Sequence, residues 1–206
     1  HRLVADGDTR ADDQGLAKVG VQHARVLNVA ARANMNAVAI AAQKIKPSQI
    51  MTPAAFVNAL RVVLAAGGST NAIIHLTAMA GRLGIGVDLE KFDALGRQTP
   101  VLVDMKPTGQ HYLEDLHKAG GLNAILRELG DQIDLDCVTI SGRTLRETLS
   151  ATQSWPQDVV RPRENPIHSG GGIAVLRGNL APDGAIIKQS AATPALLQHE
   201  GRADVF

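Results

Sequence analysis

The chain has 206 residues, of which 45% are hydrophobic, 20% charged and 2% aromatic, with a formal net charge of +1. That composition fits one or two packed domains and excludes a disordered chain. The near-neutral balance gives no broad field for gripping nucleic acid or an anionic membrane, and so few aromatics leave no stacking platform for single strands.

Residues 1–28 are polar and weakly patterned. Asp6, Asp8, Asp12 and Asp13 invite a calcium-loop reading, but that loop requires Gly and Glu where Ala11 and Ala17 stand. A solvated start or a frayed helix is expected instead. Residues 29–44 are rich in Ala and Val and predict a helix, ended by Lys46-Pro47-Ser48. The longest apolar stretches, such as Ala37 to Ala42, fall far short of the ~20 residues that cross a bilayer. The start at His1 carries no secretory pattern, and the chain reads as an excerpt or a processed product.

Thr52 resembles an N-cap with Pro53 at the first helical position, and the helix should run to about Ala66. Phe56, Leu60 and Val63 or Leu64 form its apolar stripe. Gly67-Gly68 breaks it, and Ser69-Thr70-Asn71 caps a second helix from about Ala72 to Leu83. That helix should bury Ile73, Ile74, Leu76 and Met79 before Gly84 and Gly86 stop it. Asp88 caps a short helix over Leu89 to Leu95, and Pro100 to Asp104 predicts a buried strand. After the loop Lys106-Pro107-Thr108-Gly109, helices are expected over Tyr112 to Lys118 and Leu122 to Leu129, separated by Gly120-Gly121. Helix, strand and helix in this order suggest an α/β layer.

From Asp134 the character changes. Cys137 to Ile140 alternates like a strand, with Ser141-Gly142 as its turn. Cys137 is the single cysteine, so no intramolecular disulfide is possible and a reducing, cytoplasmic compartment is expected. Residues 151–172 hold Pro156, Pro162, Pro166 and Gly170-Gly171-Gly172, suiting an irregular connection. Strands follow over Ile173 to Leu176 and Ala185 to Lys188, with Pro182-Asp183-Gly184 as the turn signal between them. The domain boundary is placed near 130–135, dividing residues 1–132 from 133–206.

Gly67 to Asn71 is the most suggestive loop for a ligand. Glycines admit close approach, and the free N–H groups of the following helix favour an anion such as a carboxylate. Gly68, Ser69, Thr70 and Asn71 are therefore the substrate-proximal candidates, against plain helix capping. The loop misses the hydrolase elbow G-x-S-x-G because its last position is Asn71. His111, Glu114, Asp115 and His117 could meet a divalent ion on one helix face, but HExxH spacing is lacking and a solvated helix with one internal ion pair is preferred. Gly170 to Gly172 precedes a strand, whereas a dinucleotide loop follows one. Cys137 reads as a small buried side chain, Trp155 as surface packing, and His75 as a core or capping histidine that could face the Ser69 loop.

Several blocks carry a family resemblance. Gly67 to Ala72 followed by His75-Leu76, Pro100 to Pro107 with Gly109, Glu114 to Gly121, and above all Gly172 to Gly184 resemble the dihydroxy-acid and sugar-acid dehydratase family, in that family's order. The resemblance covers about residues 43–206 and leaves 1–28 unmatched. It implies an α/β fold, with the C-terminal part of an α/β/α domain over 1–132 and the first part of a β-barrel-like domain over 133–206.

The resemblance also implies an activity, removal of water from a 2,3-dihydroxy carboxylic acid to give a 2-keto acid. It implies a 2Fe-2S cluster acting as Lewis acid and a Mg2+ ion, with the cluster cysteines upstream, the magnesium ligands outside this segment and a proton-taking serine beyond Phe206. No catalytic or metal-binding residue is thereby carried over to this chain, which is expected to be inactive alone. The implied partner is a small dihydroxy acid, with a homodimer or homotetramer for the full-length protein. Ile187 to Pro194 and Leu196 to His199 look more like the sugar-acid branch (arabonate, xylonate) than the branched-chain amino-acid branch. Rival readings are a non-catalytic module holding a small carboxylate at the Ser69 helix start, or an inactive truncated product.

Overall fold

A threonine cap ahead of a proline starts the helix on which the rest is laid. In the computed structural model, which describes residues 41–42, 45–151, 156–193, 195 and 197–202, α1 (Pro47–Ile50) is a single turn and α2 spans Pro53–Ala65. The Thr52 hydroxyl accepts the Ala55 N–H at 3.2 Å, and Pro53 at the first turn forfeits an N–H that no helical carbonyl could have reached. The chain divides into two compact units. One, His1–Ile45 with Ile140–Gly142, lies almost wholly outside the described residues, as do the acidic run Asp6 to Asp13, most of the helix expected over 29–44, and Trp155. The other, Lys46–Thr139 with Arg143–Phe206, is described below.

Helix α2 ends in a Schellman turn. The Gly67 N–H reaches the Leu64 carbonyl at 3.1 Å and the Gly68 N–H reaches Val63 at 2.8 Å, with Gly67 at φ +55°. A side chain at Gly67 would be strained there, so the glycine stops the helix. Ser69 then caps α3 (Thr70–Arg82) by accepting the Asn71 N–H at 3.2 Å. Of the four residues expected inside, Ile73 is buried and Leu76 half-buried, but Ile74 and Met79 are exposed. The stripe facing the core is narrower than expected: Ile73 and Ala80 carry the burial, and Ile74 points about 100° away from Ile73 around the helix. His75 is exposed as well, which corrects its reading as a core or capping residue.

Asp88 accepts the Lys91 N–H at 2.6 Å and starts α4, which runs Leu89–Gln98, longer than expected. Helices α5 (Leu113–Lys118), α6 (Leu122–Leu129) and α7 (Leu145–Ser150) follow. Thr144 and Glu147 build a capping box at the start of α7, the Thr144 N–H donating to Glu147 at 2.8 Å. Strands β1 (Ile173–Gly178) and β2 (Ala181–Lys188) form a two-stranded antiparallel sheet, with Ile173 opposite Lys188 and Leu176 opposite Ala185. This mixture of helices and strands fits the α/β class.

Three strand expectations are corrected by the hydrogen bonding. Residues 101–103 are extended and buried, but pair only through single bridges, Val101 to His168 and Val103 to Val160. The reason is that the Leu102 and Val103 N–H groups both donate to the Ala65 carbonyl at the end of α2, so no ladder can run past them. Cys137 to Ile140 likewise gives one bridge, Val138 to Thr144, in place of a strand. The β1–β2 turn falls at Asn179-Leu180, and Pro182-Asp183-Gly184 lies inside β2. There the register shifts between Leu176 and Gly178, so the turn-forming residues make a bulge instead, where Pro costs no ladder bond.

Two apolar clusters share α2. One gathers Leu116, Ile125, Leu126, Leu129 and Leu149 around Ala65, Leu102, Val103 and Val160. The other sets Leu60 and Leu64 against Ile73, Phe92 and Ile173. The buried polar side chains of Asn58 and Thr99 are paired: the Asn58 side-chain amide donates to the Asp134 carbonyl at 2.9 Å and its oxygen accepts the Asp134 N–H at 2.8 Å. Thr99, fully buried, donates to the Leu95 carbonyl and accepts from Arg61.

The run Gly170 to Gly172 threads between these parts at backbone contact. A Cβ on Gly171 would lie 2.9 Å from Leu64 Cδ2 and 3.0 Å from the Gly96 carbonyl oxygen, and one on Gly172 would lie 3.2 Å from Gly67 Cα. Gly170 has nothing within 4 Å. Gly171→Ala is therefore expected to destabilise the chain by about 1–3 kcal/mol through overpacking, while Gly170→Ala stays within about 0.5 kcal/mol of the parent. Urea unfolding of the two variants checks this, and equal midpoints would contradict the crossing.

Candidate functional site

The same crossing opens a cleft of about 500 Å³. Its walls come from four places far apart in sequence: Gly67 after α2, the extended residues Val101, Val103 and Asp104, the loop residues Thr108 and Gly109, and the connection Ile167 to Gly172. Gln189 and Ala192, just past β2, complete it. Main-chain bonds hold these pieces together. The Val101 N–H donates to the His168 carbonyl at 2.9 Å, the Ile167 N–H to Val101 at 2.9 Å, the Gly171 N–H to Gly96 at 2.7 Å and the Gln189 N–H to Gly172 at 2.9 Å.

Asp104 is the only acidic residue among the described lining residues, which include neither lysine nor arginine. Its backbone is held on both sides, the N–H donating to Val159 at 2.9 Å and the carbonyl accepting the His111 N–H at 3.1 Å. Its half-buried side chain accepts the Gln110 N–H on Oδ1 at 2.9 Å, which leaves Oδ2 without a hydrogen-bond partner among the described residues. Gly109 packs flat against this residue: a Cβ there would overlap Asp104 Oδ1 and Met105 N. The one nearby lysine turns to an aromatic residue instead, Lys106 Nζ lying 2.6 Å from the Tyr112 hydroxyl and 3.9 Å from its ring centroid.

The sequence candidates take other places. Gly68, Ser69, Thr70 and Asn71 are not among the lining residues of the cleft, although Gly67 beside them is. Ser69 and Asn71 are exposed, and the Ser69 hydroxyl is engaged by the Asn71 N–H. His75 and Met79 line a separate apolar groove between α2, α3 and α6. On α5, Glu114 pairs with Lys118 at 2.9 Å and Asp115 accepts the Tyr112 N–H at 2.8 Å, while His111 lies outside the helix, 3.8 Å from Asp158. Sequence reasoning missed Asp104, Thr108, His168, Ser169 and Gln189 as neighbours. The available signal was the glycine run next to His168-Ser169, because close backbone approach is what such a run permits.

The described residues hold no ready-made cluster of metal-ligating side chains. Among them no group of three or more His, Cys, Asp or Glu side chains converges. Cys137 is the one thiol of the sequence, and burial pushes its pKa up, assisted by Asp134 and Asp136, against a hydrogen bond with Thr52. A nucleophilic cysteine needs the opposite shift. No helix among the described residues is long and apolar enough to cross a membrane.

Comparisons with known proteins agree on one family. Residues 14–148 match the N-terminal region of the dihydroxy-acid/6-phosphogluconate dehydratases, and residues 158–206 match the C-terminal region. The first match begins well upstream of residue 43, so the similarity reaches into the stretch that looked unmatched by eye. An L-arabinonate dehydratase of Rhizobium leguminosarum bv. trifolii is 49% identical over 164 residues, 79% of this chain and 28% of that protein. An L-arabonate dehydratase of Azospirillum brasilense is 48% identical over 162 residues, 77% of this chain and 28% of that protein. A dihydroxy-acid dehydratase of Acetivibrio thermocellus is 41% identical over 194 residues, 93% of this chain and 35% of that protein. The chain thus spans about a third of the length of the curated relatives it matches.

The raised thiol pKa gives a direct test. At pH 7.5 Cys137 should be alkylated by iodoacetamide more slowly than a free cysteine, with the difference abolished in denaturant. Alkylation of the folded chain as fast as, or faster than, a free thiol would contradict the assignment.

Proposed function

The chain belongs to the dihydroxy-acid/6-phosphogluconate dehydratase family, and on that premise we propose that it is part of a hydro-lyase that dehydrates a 2,3-dihydroxy carboxylic acid to a 2-keto acid. The reaction removes the C2 proton and the C3 hydroxyl as water, and the resulting enol returns its hydrogen to C3 to give the ketone. On this reading the elimination is carried out by residues of a longer protein. That protein also holds the 2Fe-2S cluster and Mg2+, in a cytoplasmic homodimer or homotetramer. This chain supplies the end of an α/β/α domain, residues 1–132, and the start of a β-barrel-like domain, residues 133–206, together with one wall of the substrate site.

The observation that carries the reading is the family match across both regions, joined to a cleft formed where Gly67, Asp104, the Ile167 to Gly172 connection and Gln189 meet. A sugar acid of the arabonate type is the favoured substrate. Supporting it are identities of 49% and 48% to relatives named for L-arabinonate and L-arabonate. The alternative, the dihydroxy acid of branched-chain amino-acid biosynthesis, draws on the longer alignment with the Acetivibrio relative, 93% of this chain at 41% identity.

The 206-residue chain incubated alone with L-arabinonate or 2,3-dihydroxy-3-methylbutanoate should yield no 2-keto acid. The Rhizobium relative with its matching segment replaced by that of this chain should dehydrate L-arabinonate in preference to the branched acid. Keto acid from the chain alone would overturn the placement of the chemistry. A folded chimera that acts on neither acid would overturn the family activity, and one preferring the branched acid would overturn the substrate.

A further inference from the structure

We propose that the cleft at Asp104 receives the hydroxylated tail of a sugar acid, and that Asp104 and Gln189 decide between polyhydroxylated and alkyl-tailed substrates; this rests on the sugar-acid reading above. A 2,3-dihydroxy acid has an anionic end, a reacting C2–C3 pair and a tail. The cleft is built against the anionic end. No lysine or arginine is among its described lining residues, and the Asp104 carboxylate would repel a second carboxylate.

What the lining offers suits neutral hydroxyl groups. Asp104 Oδ2 is a half-buried acceptor with no donor among the described residues, held in place because Oδ1 is engaged by the Gln110 N–H at 2.9 Å. Thr108 and Ser169 bring hydroxyls, and Gln189 an amide that both donates and accepts. Val101 and Ile167 present apolar faces to the carbon chain. A hydroxyl on the substrate tail donates to Asp104 Oδ2. A methyl in its place would strip that oxygen of water and return nothing, which is how a site built for a hydroxyl rejects the analogue without one. The branched-chain acid carries only alkyl groups beyond C3, so the cleft discriminates against it.

Titration of the isotope-labelled 206-residue chain with L-arabinitol, L-arabinonate and 2,3-dihydroxy-3-methylbutanoate, followed through backbone amide shifts, tests this. Both polyhydroxylated compounds should move the Gly109, Ser169 and Gln189 amides, with the neutral polyol binding at least as well as the acid. The branched acid should leave them in place. Asp104→Asn keeps an oxygen for the Gln110 N–H, so the fold survives, and should weaken L-arabinitol binding about 10- to 100-fold. Gln189→Ala, at an exposed position, should weaken it less. Unchanged binding in Asp104→Asn, equal binding of the branched acid, or no shift at these amides with any compound would overturn the proposal.

The chimera separates the two levels. If it dehydrates L-arabinonate and Asp104→Asn leaves KM unchanged, the cleft assignment falls and the activity stands. If it is inactive while the chain binds L-arabinitol through Asp104, the activity falls and the cleft assignment stands.

Discussion

The fold depends on a backbone crossing that only glycine permits. Gly171 passes between Leu64 of α2 and Gly96 of α4, close enough that its N–H bonds the Gly96 carbonyl at 2.7 Å, and Gly172 lies against Gly67. Once the connection is drawn in this far, its next residues enter β1, and Ile173 is placed in the cluster of Leu60, Leu64, Ile73 and Phe92. Its preceding residues, Ile167 and His168, meet Val101 through paired main-chain bonds. One steric allowance thus fixes the sheet, the second core cluster and the floor of the cleft.

The chemistry of the cleft follows from what the crossing leaves out. Glycines at 67, 109 and 170–172 give it walls of bare backbone, and the polar side chains that line it are few: Asp104, Thr108, His168, Ser169 and Gln189. Asp104 is held by two main-chain bonds, by the Gln110 N–H on its Oδ1 and by the flat packing of Gly109. A carboxylate whose neighbouring lysine is turned to Tyr112 is a poor anchor for an acid and a good acceptor for a hydroxyl. On the proposed function, that asymmetry suits the cleft to the tail of a substrate and leaves the charged end to other residues.

Much of the helical framework was legible in the sequence because capping is local. Thr52-Pro53, Ser69 and Asp88 start helices through bonds to N–H groups two or three residues on, so each signal is complete within a few positions. The family resemblance was likewise legible in contiguous blocks. The sheet geometry was less so. Pro182-Asp183-Gly184 has turn chemistry, yet β1 and β2 turn two residues earlier and spend those residues on a bulge, a choice set by pairing across the hairpin. Val101 to Val103 has strand composition, but the Ala65 carbonyl takes the bonds a ladder would use. The cleft was the least legible, because Asp104, His168 and Gln189 are far apart in sequence and meet only through the glycine crossing.

Native-state hydrogen exchange tests that crossing most directly. If it is the constraint on which the fold rests, the amides of Leu102, Gly171 and Gln189 exchange only through global unfolding, with the same free energy and the same urea dependence as the unfolding transition. Exchange of the Gly171 and Gln189 amides through a low-energy local opening, while Leu102 stays protected, would show that the connection peels away from α2 and α4 independently, and would contradict the account.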